Sequence, residues 1–284
     1  MELSQKTLIL GASGSGKSAI VNSVELAVSQ RLGDLLARED VSRKDLLACY
    51  TRDGAPPRAS VEPLDPASTL PFRDLKEALR GSPETFWRYV LKAPQNEGMK
   101  KQLKHQKDRL SEATSALEYL GRVKYVQFGN LLAHIRDDIA MQRDQIAEIE
   151  ALLNVDSSKL IEKAMKFAAL WAVKANHFIP DELGLLIIDA NNAEKLDLKI
   201  GLLRKKETTR YALSGAEFNI VITALAIALN DNPSSIVIPD DRAISSLTLS
   251  HWLTKLSACK CQIIVTSVAR PKLEVPKNFH TVTL

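Results

Sequence analysis

Eight residues near the start of the chain have the types and spacing of a phosphate cradle. Gly11-Ala12-Ser13-Gly14-Ser15-Gly16-Lys17-Ser18 fits G-x-x-x-x-G-K-[ST] at every fixed position. The glycines let the backbone close around phosphate oxygens with N–H groups turned inward. A helix that starts near Gly16 adds the positive end of its dipole. Lys17 is a mobile cation for terminal phosphates, and the Ser18 hydroxyl is a ligand for a divalent cation. A flexible Gly-Ser turn shares the composition but needs no particular neighbours. Here Thr7-Leu8-Ile9-Leu10 reads as a buried strand, and Ala19 to Leu36 reads as a helix. That is the strand–loop–helix context a phosphate loop needs.

Two further stretches carry candidate chemistry. Ile236-Val237-Ile238-Pro239-Asp240-Asp241 is an apolar strand that ends in paired carboxylates. Leu213-Ser214-Gly215-Ala216-Glu217 opens a helix and, taken alone, fits an N-cap with a capping-box glutamate. A second strand with a terminal acid, Leu185-Leu186-Ile187-Ile188-Asp189, competes with the first.

In this order and spacing the stretches resemble ABC-type ATPases. Leu213 to Glu217 is similar to their L-S-G-G-E signature, with Ala216 for the second glycine. Asp240 and Asp241 end a Walker B-like strand, Ala243 to Leu247 is similar to the D-loop, and Ile263 to Ser267 stands where the switch-histidine strand falls. The long helical gap between phosphate loop and signature is most like the SMC/RecF/RecN branch. The resemblance covers about the first twenty residues and the last seventy-five.

The resemblance implies an α/β P-loop NTPase, an ABC/SMC-like head with a mostly parallel sheet and an inserted helical subdomain or short coiled-coil arm. It implies ATP and Mg²⁺ as cofactors, bound by Gly11 to Ser18. Ser214, Gly215 and Glu217 would face a nucleotide held by a second copy, which makes an ATP-dependent homodimer. Ser18 and Asp240 would hold the metal, and Asp241 would polarise the attacking water together with Lys17 and a Q-loop glutamine. Gln127, ending Arg122 to Gln127, is the expected glutamine for metal and water, and Gln95 is its competitor. Three departures imply slow hydrolysis: Asp241 is one methylene shorter than glutamate, Ser267 replaces histidine, and Ala216 replaces glycine. DNA repair, recombination or replication is the implied setting. A transporter subunit and a non-hydrolysing assembly switch are the other functional classes open.

The elements that must position these residues are legible in outline. Residues 1–98 are expected to begin the head, 99–182 to form the helical insert, and 183–284 to complete the head. Residues 52–71 read as turns around one strand, Ala59 to Pro63. Ser82-Pro83-Glu84 predicts a helix start that turns Phe86, Trp87, Val90 and Leu91 inward. Leu103, Leu110 and Leu117 lie seven apart. Leu132, Ile135, Ile139, Gln142, Ile146, Ile149 and Leu153 recur in threes and fours, as a coiled-coil seam or as one face of a core helix. Arg122 to Gln127 alternates like a strand, and Leu183–Asp189 with Leu196–Leu203 reads as a hairpin. Helices are expected over Ala212–Asn230 and Leu247–Leu256, with Ile236–Ile238 and Ile263–Val265 as buried strands of a parallel sheet.

Composition sets the remaining bounds. The 284 residues are 45% hydrophobic and 25% charged, which supports a packed core. The net charge of +4 permits nucleic acid without requiring it. Two basic stretches fit either a solvated face or a phosphate backbone: Lys100, Lys101, Lys104, His105, Lys107 and Arg109, then Arg204, Lys205, Lys206 and Arg210. Cys49, Cys259 and Cys261 are read as reduced thiols with no second pair to complete a zinc site. With no signal peptide or membrane-length apolar run, a cytoplasmic protein away from membranes is expected.

Overall fold

A computed structural model describes residues 3–29, 68–94, 96–122, 129–192, 195–204, 209–240 and 244–284. Its centre is a four-stranded parallel sheet in the order β4 (Ile236–Val237), β5 (Gln262–Ser267), β1 (Lys6–Leu10), β6 (His280–Thr283). Period-2 alternation sends successive residues to opposite faces. Ile9, Ile236, Ile238 and Ile264 pack on one side against Val21 and Val24 of α1 (Lys17–Ser29). Leu8, Val237, Ile263 and Val265 face the larger core on the other side. The strand β6 was not anticipated, because its residues are mostly exposed and lack an apolar run.

Helices α2 (Pro71–Ala78) and α3 (Pro83–Val90) come next among the described residues. The Ser82 hydroxyl caps α3 by accepting the Thr85 N–H at 3.2 Å. Phe86, Trp87 and Val90 are buried, as the pattern predicts, while Leu91 is half-buried at the C-cap. The stretch from Pro71 onward corrects the reading of 52–71 as turns: Pro71 is the first residue of a helix.

An antiparallel helical pair, α4 (Glu97–Arg122) and α5 (Gly129–Asn176), projects next. The predicted seam is present on α5. Ile139, Gln142, Ile146 and Ile149 are buried, while Leu132, Ile135 and Leu153 are half-buried. On α4, Leu103, Leu110 and Leu117 are half-buried at the same seven-residue spacing. Lys107 and Glu150 bridge the pair at 2.7 Å. Arg122 ends α4 rather than starting a strand; residues 123–127 and the expected strand Ala59–Pro63 lie outside the described residues, as does Cys49.

From Leu160 onward α5 leaves the pair and enters the larger core through Ala164, Ala168, Trp171 and Ala175. Trp171 lies 6.1 Å from Phe86, 6.4 Å from Trp87 and 5.6 Å from Phe167 between ring centroids. Its Nε1–H donates to the Leu225 carbonyl at 2.9 Å. That carbonyl belongs to α6 (Gly215–Leu229), three residues shorter at its start than the pattern suggested. Its middle, Ile220 to Ile227, is buried on every side, as expected of a helix apolar all round.

Between α5 and α6, β2 (Leu185–Asn192) and β3 (Lys195–Leu203) form the expected antiparallel hairpin, separate from the parallel sheet. Helix α7 (Ser246–Ser257) precedes β5, capped by Ser245, which accepts the Thr248 N–H at 3.1 Å.

The base of the helical pair is clamped electrostatically. Arg88, nearly inaccessible, donates to Glu84 at 2.9 Å and to Asp156, while Lys100 reaches Glu84 at 2.7 Å. The Arg88 hydrogen bond holds Asp156 below the usual carboxylate range despite some burial. Burial raises the pKa of Glu84, but hydrogen bonds from Lys100 and Arg88 outweigh it and the net shift is down. Carboxylates depressed in the folded state contribute stability at neutral pH that is lost as pH falls through their lowered folded values. Arg88→Met is expected to cost about 1–2 kcal/mol at pH 7, discounted for the partial exposure of both acids. Urea denaturation should show that deficit shrinking as the pH is lowered and the wild type loses the same contacts; a pH-independent deficit would assign the effect to packing.

Candidate functional site

The phosphate loop follows directly from β1. Gly11 N–H donates to the Ser267 carbonyl at 3.2 Å, which continues the sheet by one rung, and Ser15 N–H closes a turn onto the Ala12 carbonyl at 3.2 Å. Gly14 and Gly16 have φ of 82° and 94°, the left-handed region where a Cβ is strained. At Gly11 a Cβ would collide with the Ser15 hydroxyl. These backbone demands explain the glycine positions of the motif.

Helix α1 begins at Lys17, and the Gly16 carbonyl accepts from Ala19 and Ile20 N–H at 3.0 and 3.2 Å. The N–H groups of its first turn have no acceptor within the helix. The Lys17 ammonium turns back and donates to the carbonyls of Gly11 and Ala12, both at 2.7 Å. Ser18 is exposed on the first turn, as are Ala12, Ser13, Gly14 and Gly16 on the loop. The Ser15 hydroxyl is buried without a hydrogen-bond partner. A loop with an orphaned hydroxyl, a cation satisfied only by its own carbonyls and a helix N-terminus fits a polyphosphate and its divalent cation.

Asp240 stands two strands away on the same edge. It bridges Thr266 of β5, and Thr266 pairs with Ile9 of β1, so Asp240 lies roughly 10 Å across from the end of β1. Its carbonyl accepts from Asn219 Nδ2 at 3.1 Å. Its carboxylate meets Lys76 Nζ at 3.6 Å and Arg73 Nη2 at 3.7 Å, both from α2. Arg73 Nε also pairs with the buried carboxylate of Glu25 on α1. Asp189, the competing acid, lies on β2 of the separate hairpin and not on the sheet that carries the phosphate loop.

Sequence reasoning did not single out Arg73 and Lys76. The helix that carries them had a signal: Pro71 at a first helical position, then Phe72, Leu75 and Leu79 at i, i+3 and i+7. Their pairing with Asp240 spans more than 160 residues and leaves no local trace.

Ser214 and Glu217 form a complete capping box on α6. Ser214 Oγ accepts the Glu217 N–H at 3.3 Å, and Glu217 Oε2 accepts the Ser214 N–H at 2.8 Å. Glu217 Oε1 accepts from Arg204 and Arg210 at 2.9 and 2.7 Å. Burial raises the Glu217 pKa, but the Ser214 hydrogen bonds and the Arg210 and Arg204 charges outweigh it, leaving the carboxyl below its ordinary value. Arg210 is held beside β3 by a two-way bridge to Leu202, and the chain passes so close that a Cβ on Gly201 would meet the Arg210 carbonyl at 2.7 Å. Ser214 and Gly215 remain exposed. Asn219 touches Asp240, and Ser214 lies five residues back, about 7.5 Å along the helix axis.

The remaining expected residues fall as follows. Ser267 is buried; its hydroxyl donates to the Val268 carbonyl at 3.1 Å and accepts from Arg270 Nε at 3.3 Å. Lys100 pairs with Glu84 and Arg204 with Glu217, while Lys101 and Lys104 are exposed on α4. Cys259 and Cys261 are buried free thiols just before β5. Asp241, Gln127, Gln95, Lys205 and Lys206 lie outside the described residues. Among the described residues no helix is long and apolar enough to cross a membrane.

No family model matches the chain. No curated protein matches it either. Among solved structures, it is similar to an Smc head domain with an extended coiled coil, bound to the C-terminal domain of ScpA, from Pyrococcus furiosus. The two share 14% identity over 95% of this chain and 85% of that one, with a TM-score of 0.49.

Proposed function

We propose that this chain is an ATP-binding head of the SMC/RecF type that hydrolyses ATP slowly, dimerises on ATP and acts on DNA. The observation that carries the reading is convergence: the phosphate loop and Asp240 lie at the same end of the parallel strands, and Asn219 in the second turn of α6 contacts Asp240. In this reading 1–98 and 183–284 make the head and 99–182 the helical insert, whose last turns brace the head through Trp171. Reduced thiols at Cys259 and Cys261 suit a cytoplasmic setting.

Lys17 releases the loop carbonyls and binds the terminal phosphates. Loop N–H groups from Gly11 to Ser18 hold the remaining oxygens. Ser18 and Asp240 would hold Mg²⁺, with Gln127 as a further ligand. Bound there, Mg²⁺ supplies Lewis-acid polarisation of phosphoryl oxygens. Asp241 accepts a proton from the attacking water. Ser214, Gly215 and the α6 N-terminus, kept rigid by Glu217, face the nucleotide of a second copy. Lys100, Lys101, Lys104, Arg204, Lys205 and Lys206 offer cations to a DNA backbone. A second reading, a nucleotide-set assembly switch without efficient turnover, draws on Ser267. Its hydroxyl is bonded to Val268 and Arg270 at the position where the family has histidine.

Three measurements check this function. Lys17→Ala removes charge-assisted hydrogen bonds worth about 1.5–3 kcal/mol each, so ATP affinity should fall at least about tenfold by calorimetry. Unchanged affinity would end the phosphate-loop assignment. Light scattering with ATP and Mg²⁺ should show dimers for the wild type and monomers for Ser214→Arg, whose monomeric ATP affinity stays within about twofold of wild type. Equal dimerisation by both would remove the shared-site reading. For duplex DNA, about four phosphate contacts predict log K falling with log salt at a slope of roughly −3.6. A slope near zero, or no binding at low salt, would leave the assembly switch as the better reading.

A further inference from the structure

Two cations at the proposed site belong to no sequence motif. Arg73 and Lys76 lie one helical turn apart on α2, so both point the same way. That way is toward Asp240, whose carboxylate they approach at 3.7 and 3.6 Å. The helix is fixed in that pose. Just before it, the Thr69 carbonyl accepts from Ile236 N–H at 3.0 Å, and the Thr69 and Ser235 hydroxyls meet at 2.9 Å, tying α2 to β4, three residues before Asp240. Phe72 and Leu75 bury the adjoining face.

Each cation also has a second seat. Arg73 pairs with the Glu25 carboxylate, and its guanidinium carbon lies 5.6 Å from the Phe72 ring centroid. Lys76 Nζ lies 5.8 Å from the same ring. Both would keep favourable contacts after leaving Asp240. A divalent cation at Asp240 cannot share it with two monovalent cations within 4 Å without strong repulsion.

We propose that Arg73 and Lys76, outside the phosphate-binding loop, form a latch on Asp240 that a divalent cation must displace before nucleotide is held tightly. The proposal rests on the reading of Asp240 as the metal-holding acid. The latch sets how much divalent cation the site requires and keeps the acid neutralised beside an empty phosphate loop. It leaves the metal-free affinity for nucleotide, which depends on Lys17 and the loop N–H groups, unaffected.

The test uses the full chain and a fluorescent, slowly hydrolysed ATP analogue, with Mg²⁺ titrated from an EDTA-treated start. Lys76→Met keeps the stem over Phe72 and removes the charge; Lys76→Arg keeps the charge. In EDTA all three proteins should bind the analogue equally. The Mg²⁺ concentration for half-maximal tight binding should fall about twofold to fivefold in Lys76→Met, the scale of one partly exposed ion pair, and stay near wild type in Lys76→Arg. An unchanged or higher Mg²⁺ requirement in Lys76→Met overturns the latch and leaves the nucleotide site standing. No analogue binding by the wild type, or binding undiminished by Lys17→Ala, overturns the nucleotide reading and the latch with it. Matching circular dichroism melts for the three proteins separate these outcomes from misfolding.

Discussion

The burial of α6 is the constraint on which the other elements depend. A helix apolar on all sides must be surrounded, and this one is covered by α2, the lower turns of α5 and the parallel sheet. Each contact along it sets something else. Leu225 accepts from Trp171 and so fixes the long helix of the projecting pair. Asn219 holds the Asp240 backbone at the end of its strand. Ser214 and Glu217 cap the start of the helix, five and two residues before Asn219. Sheet, insert and candidate signature are therefore indexed to a single rigid rod.

Electrostatics at the candidate site is a set of balanced pairs rather than open charge. Lys17 is satisfied by loop carbonyls, Asp240 by two cations, and Glu217 by two arginines and its own capping bonds. Such balance lets ionisable groups sit partly buried at modest cost. It also means that a ligand at this site exchanges contacts rather than filling unpaired ones, so affinity is a difference between competing partners.

The projecting pair reaches the larger core by one continuous helix. The 48 residues of α5 span roughly 70 Å at helical rise, from the tip of the pair into the larger core. Gln142 interrupts the apolar seam while 2% exposed, its amide donating to Asp138 at 2.8 Å. A buried polar residue in a seam lowers stability but disfavours other registers. With the Arg88 clamp at the base, it keeps the orientation of the pair tied to the core at Trp171.

Local order was legible where one residue type has few conformational options. Glycine at positive φ defines the phosphate loop, Ser82 and Ser214 cap their helices, and apolar spacing marks the seam and the hairpin. The same local reasoning missed the start of α2 at Pro71 and the exposed strand β6, whose signals were weak against their surroundings. It also allowed two terminal acids, Asp189 and Asp240, because both end apolar strands. Only the tertiary structure decided between their settings, since sheet membership depends on pairing with β5 and not on the strand's own letters. Only it brought Arg73 and Lys76 to Asp240, and Arg204 and Arg210 to Glu217. Ion pairs between distant segments impose no periodicity on the chain, so the sequence by itself determined the cradle and its caps, while three-dimensional packing chose the charges that surround them.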